Sequence, residues 1–108
     1  MITFKQAIAE EEFVITGEIS APISAGSSEL EDKIDLLKDS VHAINITDNP
    51  GATAHMSSLA GCAIVRNKGI DPILQITCRD RNRLAIQSDL MGASALGINN
   101  VLTLGGDP

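Results

Sequence analysis

Aromatic side chains are scarce in this sequence of 108 residues. Tryptophan and tyrosine are absent, and Phe4 and Phe13 are the two aromatic residues. Proteins that bind single-stranded nucleic acids stack the bases on aromatic rings, so this sequence is poorly suited to stacking bases or sugars. A flat ligand would have to be held mainly by aliphatic side chains and the backbone. The net charge of −6 also argues against nucleic acid or an anionic membrane surface as the main partner.

Cysteines and long apolar runs are few as well. Cys62 and Cys78 are the two cysteines, they form no CxxC pair, and His42 and His55 are the two histidines that could join them. Structural zinc sites need four such ligands at characteristic spacings, so we expect no metal. No apolar run has the length that crosses a bilayer, and no basic start precedes an apolar stretch at the amino terminus. We therefore expect a cytoplasmic protein with reduced thiols and no membrane partner.

Strand and helix patterns alternate along the chain. Short β-branched runs predict four strands, at about 13–20, 43–47, 72–77 and 100–104. Helical apolar spacing predicts helices at about 3–9, 28–40 and 53–67, and a last helix that contains 84–93 and is ended by Gly97. The third of the long helices carries a broad apolar face, made of Leu84, Ile86, Leu90, Met91 and Ala93.

This order predicts a parallel α/β sheet. Strand–helix units of this length are typical of a (β/α)8 TIM barrel, and four strands are half the number that such a barrel has. A flavodoxin-like sheet has the same alternation but needs a longer chain. The sequence thus predicts the amino-terminal half of a TIM-type barrel, with residues 1–108 as a single partial domain.

Polar residues occur where each predicted strand ends. Because the carboxyl ends of parallel strands meet on one rim, where such folds carry their chemistry, we expect these groups to form one site. The groups are Glu18, Thr47 and Asp48, the stretch from Thr77 to Asn82, and Gly106 and Asp107.

Two carboxylates have alternative interpretations. Burial of Glu18 in its apolar strand, without a cationic partner, would favour the protonated form and make it a proton donor near neutral pH; a surface glutamate on an edge strand fits the pattern equally. Asp107 could belong to a site or to an ordinary Gly-Gly-Asp-Pro turn. Gly105 and Gly106 would let a flat ligand approach the backbone closely.

Other polar residues have structural interpretations. We expect Asp80 to cap the helix that follows it. Arg79 and Arg81 could pair with carboxylates on the rim or hold an anionic substrate, and ion pairing is the preferred interpretation. Asn45 should point to the opposite face of its strand from Ile44 and Ile46, since side chains alternate along a strand.

The sequence resembles the methylenetetrahydrofolate reductase family, in particular its bacterial branch. The resemblance spans nearly the whole chain and is most specific in the last third. It is carried by Gln75-Ile76-Thr77-Cys78-Arg79-Asp80-Arg81-Asn82, by 87–93 and 95–102, and by Gly106-Asp107-Pro108. Members are (β/α)8 barrels with a flavin, usually FAD, at the carboxyl rim. They reduce methylenetetrahydrofolate to methyltetrahydrofolate by hydride transfer from the reduced flavin.

The resemblance implies roles for individual residues. Glu18 matches the general acid that helps to open the folate's five-membered ring, and Asp107 matches the aspartate that orients the folate and tunes the flavin. The implied cofactor contacts are Thr47, Asp48, Gln75, Gly105, Gly106 and Asp107. The sequence departs from the family at Gln75, where many members have histidine, and after Glu18, where Ile19-Ser20-Ala21-Pro22 replaces two aromatics and two prolines.

Three functions follow as hypotheses. The first is a flavin-dependent folate reductase, with FAD or FMN, with NAD(P)H or a protein as electron donor, and acting as a homo-oligomer or in a larger complex. The second is a non-catalytic half barrel that serves as an assembly or folate-binding module. The third is a flavodoxin-like electron carrier that binds FMN and no folate.

Overall fold

The computed structural model describes residues 3–10 and 13–105, and it confirms the predicted alternation of helices and strands. In chain order the elements are α1 (Phe4–Ala9), β1 (Thr16–Ile19), α2 (Ser28–Leu37), β2 (Ala43–Ile46), a 3₁₀ turn (Pro50–Ala52), α3 (Ser58–Asn67), β3 (Asp71–Thr77), α4 (Arg83–Ala95) and β4 (Asn100–Leu104). Three bounds differ from the prediction by three or more residues: β1 begins at Thr16 instead of Phe13, α2 ends at Leu37 instead of Ser40, and α3 begins at Ser58 instead of Thr53.

The four strands form one sheet in the order β1-β2-β3-β4, and each neighbouring pair is parallel. Glu18 lies opposite Asn45, Asn45 opposite Ile73, and Ile73 opposite Asn100. Sequential parallel strands joined by helices are the arrangement of a barrel of the TIM type. All four strands point their carboxyl ends to the same edge, as predicted.

The apolar core lies between the sheet and helices α2 and α3. Ile44, Ile46 and Leu74 are almost completely buried there, together with Leu30, Ile34, Cys62 and Val65 from the helices. Burial of such side chains stabilises the fold by about 1.5–3 kcal/mol each. Because Ile44 and Ile46 face this core, Asn45 lies on the opposite face of β2, which confirms the prediction.

Three helices begin with a side-chain cap: Thr3 caps α1, Ser57 caps α3 and Asn82 caps α4. In α1, Thr3 Oγ1 accepts from the N–H of Gln6, and Gln6 Oε1 accepts from the N–H of Thr3, which is a capping box. In α4 the cap is Asn82, whose Oδ1 accepts from the N–H of Ala85 at 2.8 Å. The prediction that Asp80 caps this helix is therefore wrong. The helix begins two residues later, and Asp80 instead accepts from Arg79.

The apolar face predicted for α4 is mostly exposed. Of its members, Ala93 is buried, whereas Leu84 and Met91 are 75% and 72% exposed. Their helical spacing is correct, but no described element covers these two side chains. Within the described part of the chain, every helix is too short or too polar to cross a membrane.

Candidate functional site

A row of polar side chains crosses three neighbouring strands on the face opposite the core. The amide Nε2 of Gln75 on β3 donates to Oε1 of Glu18 on β1 at 2.9 Å, and it also donates to Oδ1 of Asn45 on β2. Gln75 is buried, whereas Glu18 is exposed. The structure thus favours the surface alternative for Glu18 over burial. It also gives Glu18 a fixed partner, because the amide of Gln75 orients its carboxylate.

Thr47 follows β2 at the carboxyl rim and has an unusual environment. Its N–H donates to the carbonyl of Ile19 at 3.2 Å, which extends the pairing of β1 and β2 by one bond. Its hydroxyl Oγ1 is buried and has no hydrogen-bond partner among the described residues. Buried hydroxyls in proteins are nearly always paired, and an unpaired polar group costs about 1–3 kcal/mol. The hydroxyl is therefore available to a ligand.

Asp48 is held by an ion pair on both of its oxygens. Arg81 Nη2 donates to Oδ1 at 2.9 Å, while Oδ2 accepts from Arg81 Nη1 and, at 2.8 Å, from the N–H of Thr77. Arg81 also donates through Nε to Asp89 on α4 at 3.2 Å. Arg79 pairs with Asp80 at 2.9 Å. The predicted pairing of both arginines is confirmed.

This pairing sets the charges of Asp48 and Arg81. Burial alone would raise the pKa of the Asp48 carboxyl. The hydrogen bonds and charge of Arg81 and the N–H of Thr77 outweigh burial, so the pKa lies below its ordinary value of 3.8. The hydrogen bond to Asp48 correspondingly raises the pKa of Arg81, against the effect of burial. Both groups are charged at neutral pH.

A cleft of about 250 Å³ opens at the carboxyl ends of β2, β3 and β4. Its walls combine predicted site residues with residues of the following loops: Thr47, Asp48, Pro50, Gly51, Gln75, Thr77, Arg79, Leu104 and Gly105. Glu18 does not line this cleft but borders a separate hollow beside α2, and its hydrogen bond to Gln75 is what connects it to the cleft wall. A Cβ built on Gly105 would meet no atom within 4 Å, so open space borders the backbone there. Gly106 and Asp107, also predicted for the site, lie outside the described residues.

The loop after β2 forms one side of the cleft in a constrained conformation. Asn49, Gly51 and Ala52 have positive φ values of 44°, 67° and 58°. For a non-glycine residue such as Ala52 this is sterically unfavourable, and such strain concentrates at functional sites. Side-chain hydrogen bonds help to hold the loop: Arg79 Nη2 donates to the carbonyl of Asn49 at 2.9 Å, and Asn49 Oδ1 accepts from the N–H of His55 at 3.0 Å.

The two cysteines occupy different environments. Cys62 is buried in the core, and burial raises the pKa of its thiol to about 12, so it is unreactive at neutral pH. Cys78 is exposed at the rim, with Sγ 3.5 Å from the carbonyl of Gly105. Among the described residues, no group of three or more histidine, cysteine or acidic side chains is arranged to hold a metal ion.

Sequence reasoning placed the side chain of Asn45 correctly but missed its part in the site. Asn45 bridges the strands of Glu18 and Gln75. A signal was present, since Asn45 and Gln75 are each a lone amide flanked by apolar residues within a strand. Amides at such positions face away from the apolar layer and require hydrogen-bond partners.

The fold and the cleft together define an α/β protein whose parallel sheet carries a polar site at the carboxyl ends of its strands. Residues 3–108 match the family model described as methylenetetrahydrofolate reductase. The chain therefore belongs to the methylenetetrahydrofolate reductase family, as the amino-terminal portion of such a protein. No curated protein matches the chain. The family has the TIM-barrel fold, and the four sequential parallel strands agree with it.

Proposed function

We propose that this chain supplies part of the active site of a cytoplasmic, flavin-dependent reductase that converts 5,10-methylenetetrahydrofolate to 5-methyltetrahydrofolate. Membership in the family supports an oxidoreductase that acts on a folate. The observation that supports the finer proposal is the hydrogen bond of Glu18, near the carboxyl end of β1, to Gln75, which is one of the residues that line the cleft.

Glu18 acts as the general acid in this proposal. Opening of the folate's five-membered ring to the reactive iminium requires a proton on the ring nitrogen that leaves, and a positioned carboxyl group can deliver it. Gln75 donates to one oxygen of Glu18 and so fixes the plane of the carboxyl group. Asn45 in turn accepts from the same Gln75 amide and fixes Gln75. The row thus directs the proton donor towards the substrate.

The residues of the cleft fit a flavin, either FAD or FMN. The unpaired hydroxyl of Thr47 offers a hydrogen bond to a polar ring edge, and the open space beside Gly105 admits a flat ring against the backbone. A bound flavin would supply the hydride that reduces the folate. Gln75 and Gly106 complete the proposed contacts, and Asp107 would orient the folate and tune the flavin. NAD(P)H or a protein is the proposed electron donor.

Substitution Glu18→Gln tests the acid. The new amide keeps the size of the side chain and a carbonyl oxygen that can accept from Gln75, but its N–H groups are not acidic enough to protonate the substrate. We expect folate reduction to fall by about 10²–10⁴-fold, while reduction of the flavin by the electron donor continues. The two half-reactions are measured separately by stopped-flow absorbance of the flavin.

Glu29→Gln provides the matched control, because Glu29 is an exposed carboxylate on α2 that pairs with Lys33. It should leave both half-reactions unchanged. An equal loss of both half-reactions in Glu18→Gln would reject the acid role.

Exposed apolar side chains on β4 favour a second candidate, a non-catalytic half barrel that assembles with another chain or binds folate. Leu102 and Leu104 are 43% and 38% exposed, and such surfaces often mark interfaces. This candidate predicts that the purified protein carries no flavin. An absorbance spectrum with a flavin band near one equivalent per chain excludes it.

A further inference from the structure

The backbone pairing of β2 with β3 ends before the rim. The last paired residues are Ile46 and Leu74, yet β3 continues to Thr77. Beyond this point side chains provide the link: Asp48 Oδ2 accepts from the N–H of Thr77 at 2.8 Å, and Arg81 Nη1 donates to the carbonyl of Thr77 at 3.1 Å. The Asp48–Arg81 pair therefore continues the connection between the strands where the peptide groups no longer make it.

The residues of the cleft lie directly beside this pair. Thr47, with its unpaired hydroxyl, immediately precedes Asp48. Gln75 stands two residues before Thr77, so both of their side chains lie on the same face of β3. A shift of Asp48 or Thr77 by a fraction of an ångström would therefore move the side chains of Thr47 and Gln75, which face the cleft.

Burial distinguishes this pair from the other ion pairs among the described residues. The side chains of Asp48 and Arg81 are 1% and 15% exposed, whereas those of Asp35 and Lys68 are 44% and 27% exposed. In a buried ion pair, the loss of hydration offsets much of the electrostatic attraction. Apolar residues of similar size at the same positions therefore often stabilise a fold to the same degree as the ion pair. The bidentate geometry of arginine does supply a fixed orientation that apolar residues cannot.

We propose that Arg81 is a positioning residue: with Asp48 it holds the ends of β2 and β3 in register, so that Thr47 and Gln75 face the cleft ready for the ligand. Its bond to Asp89 ties α4 to the same arrangement. This assigns Asp48 a role in positioning Thr47, through Arg81 and Thr77. The effect on ligand binding rests on the proposed function, whereas the effect on the strand ends does not.

The test replaces both charges with apolar groups of similar size, Asp48→Leu with Arg81→Met, in the whole chain. The N–H of Thr77 then loses its acceptor, so we expect its hydrogen exchange, followed by NMR, to become about tenfold faster. Exchange in the cores of α2 and α3 should stay unchanged. The dissociation constant for FAD and for FMN, measured by quenching of flavin fluorescence, should rise about tenfold.

The matched control is Asp35→Leu with Lys68→Met, which removes an exposed pair joined by two bonds of 3.2 Å. It should change neither the exchange of Thr77 nor flavin binding. Arg81→Lys keeps the positive charge but loses the bidentate geometry. We expect Thr77 exchange and the flavin dissociation constants to rise in this variant too, but by less than in the apolar double variant. If the apolar double variant does not fold, Arg81→Lys decides the question.

Two results would overturn the inference. One is unchanged exchange of the Thr77 amide, and the other is a loss of protection spread evenly over the sheet, which is what a merely stabilising pair would produce. If the parent chain binds neither FAD nor FMN, the proposed function fails. The exchange of Thr77 still decides whether Arg81 positions the strand ends.

Discussion

Two parts of the molecule with similarly apolar sequences differ sharply in burial. In β3, every residue from Pro72 to Thr77 is buried, whereas in β4 every residue from Val101 to Leu104 is exposed. Helices α2 and α3 bury Leu30, Ile34, Cys62 and Val65, while α4 buries Ala93 alone among its described residues.

The difference shows that neighbours, more than composition, decide burial in a parallel sheet. Strand β3 has β2 and β4 on its two sides and contacts α3, whereas β4 has β3 as its one neighbour among the described strands. Strands of parallel sheets are buried when both faces and both edges are covered. The packed part, made of β2 and β3 with helices α2 and α3, therefore holds most of the core, and the open part, α4 and β4, is attached to it.

The difference in burial between the packed part and the open part is tested most strongly by truncating one leucine to alanine in each part. Leu74 is 1% exposed in the packed part, so Leu74→Ala should lower the free energy of unfolding by about 2–5 kcal/mol. Leu84 on α4 is largely exposed, so Leu84→Ala should change it by no more than about 0.5 kcal/mol. Urea denaturation followed by circular dichroism measures both. Equal losses would mean that the face of α4 is covered in solution.

Two glycine-to-alanine substitutions, one in each part, should change the free energy of unfolding in opposite directions. A Cβ on Gly61 of α3 would lie 2.9 Å from Cγ2 of Ile46, and such overpacking costs about 1–3 kcal/mol, more than the roughly 1 kcal/mol gained from helix propensity. A Cβ on Gly92 of α4 would meet Leu59 at 3.9 Å, an ordinary contact. We expect Gly61→Ala to destabilise the chain and Gly92→Ala to stabilise it by up to about 1 kcal/mol.

The melting temperatures of the two variants measure this difference. A rise for both would show that α3 can move away from β2 without loss. A fall for both would show that Gly92 is packed more closely than the open part suggests.

Local sequence signals were sufficient for the order of elements but not for all of their limits. Alternating and helical spacings predicted every strand and helix, and β4 was predicted with its observed bounds, Asn100–Leu104. The start of α3 was misplaced because the helix is capped by Ser57, whose side chain accepts from the N–H of Ala60, so that Thr53 to Met56 belong to the preceding loop. The apolar spacing of α4 predicted a helix correctly, but spacing carries no information about which neighbours cover it.

The site was predictable as far as topology determines it. Parallel strands bring their carboxyl ends together, so Thr47, Asp48, Thr77 and Arg79 meet at one cleft as the strand order implies. Gln75 also lines this cleft, but it was expected there only from the family resemblance. The bonds between side chains were not predictable in the same way. Asp48 and Arg81 are 33 residues apart, and their pairing depends on the register of β2 and β3. Whether Glu18 is buried likewise depends on the strands beside it.

The smallest expected effect concerns the ion pair that joins the two parts, since Arg81 contacts Asp48 at the end of β2 and Asp89 on α4. The pKa of Asp48 in the folded chain lies below 3.8, because the bonds from Arg81 and Thr77 outweigh burial. The carboxyl of the unfolded chain therefore binds a proton first as the pH falls. The stabilisation that Asp48 contributes is complete above the unfolded pKa and is lost as the pH falls through the lower folded pKa.

Asp48→Asn isolates this contribution, since the amide cannot titrate. The difference in free energy of unfolding between the parent chain and this variant should stay constant from pH 7 to about pH 5. Below that it should shrink steadily as the pH is lowered. Urea denaturation at each pH measures the difference. A difference in free energy of unfolding that grows on acidification would mean that Asp48 binds its proton more readily in the folded chain. In that case a charged Asp48 would not be what links Arg81, and with it α4, to the packed part.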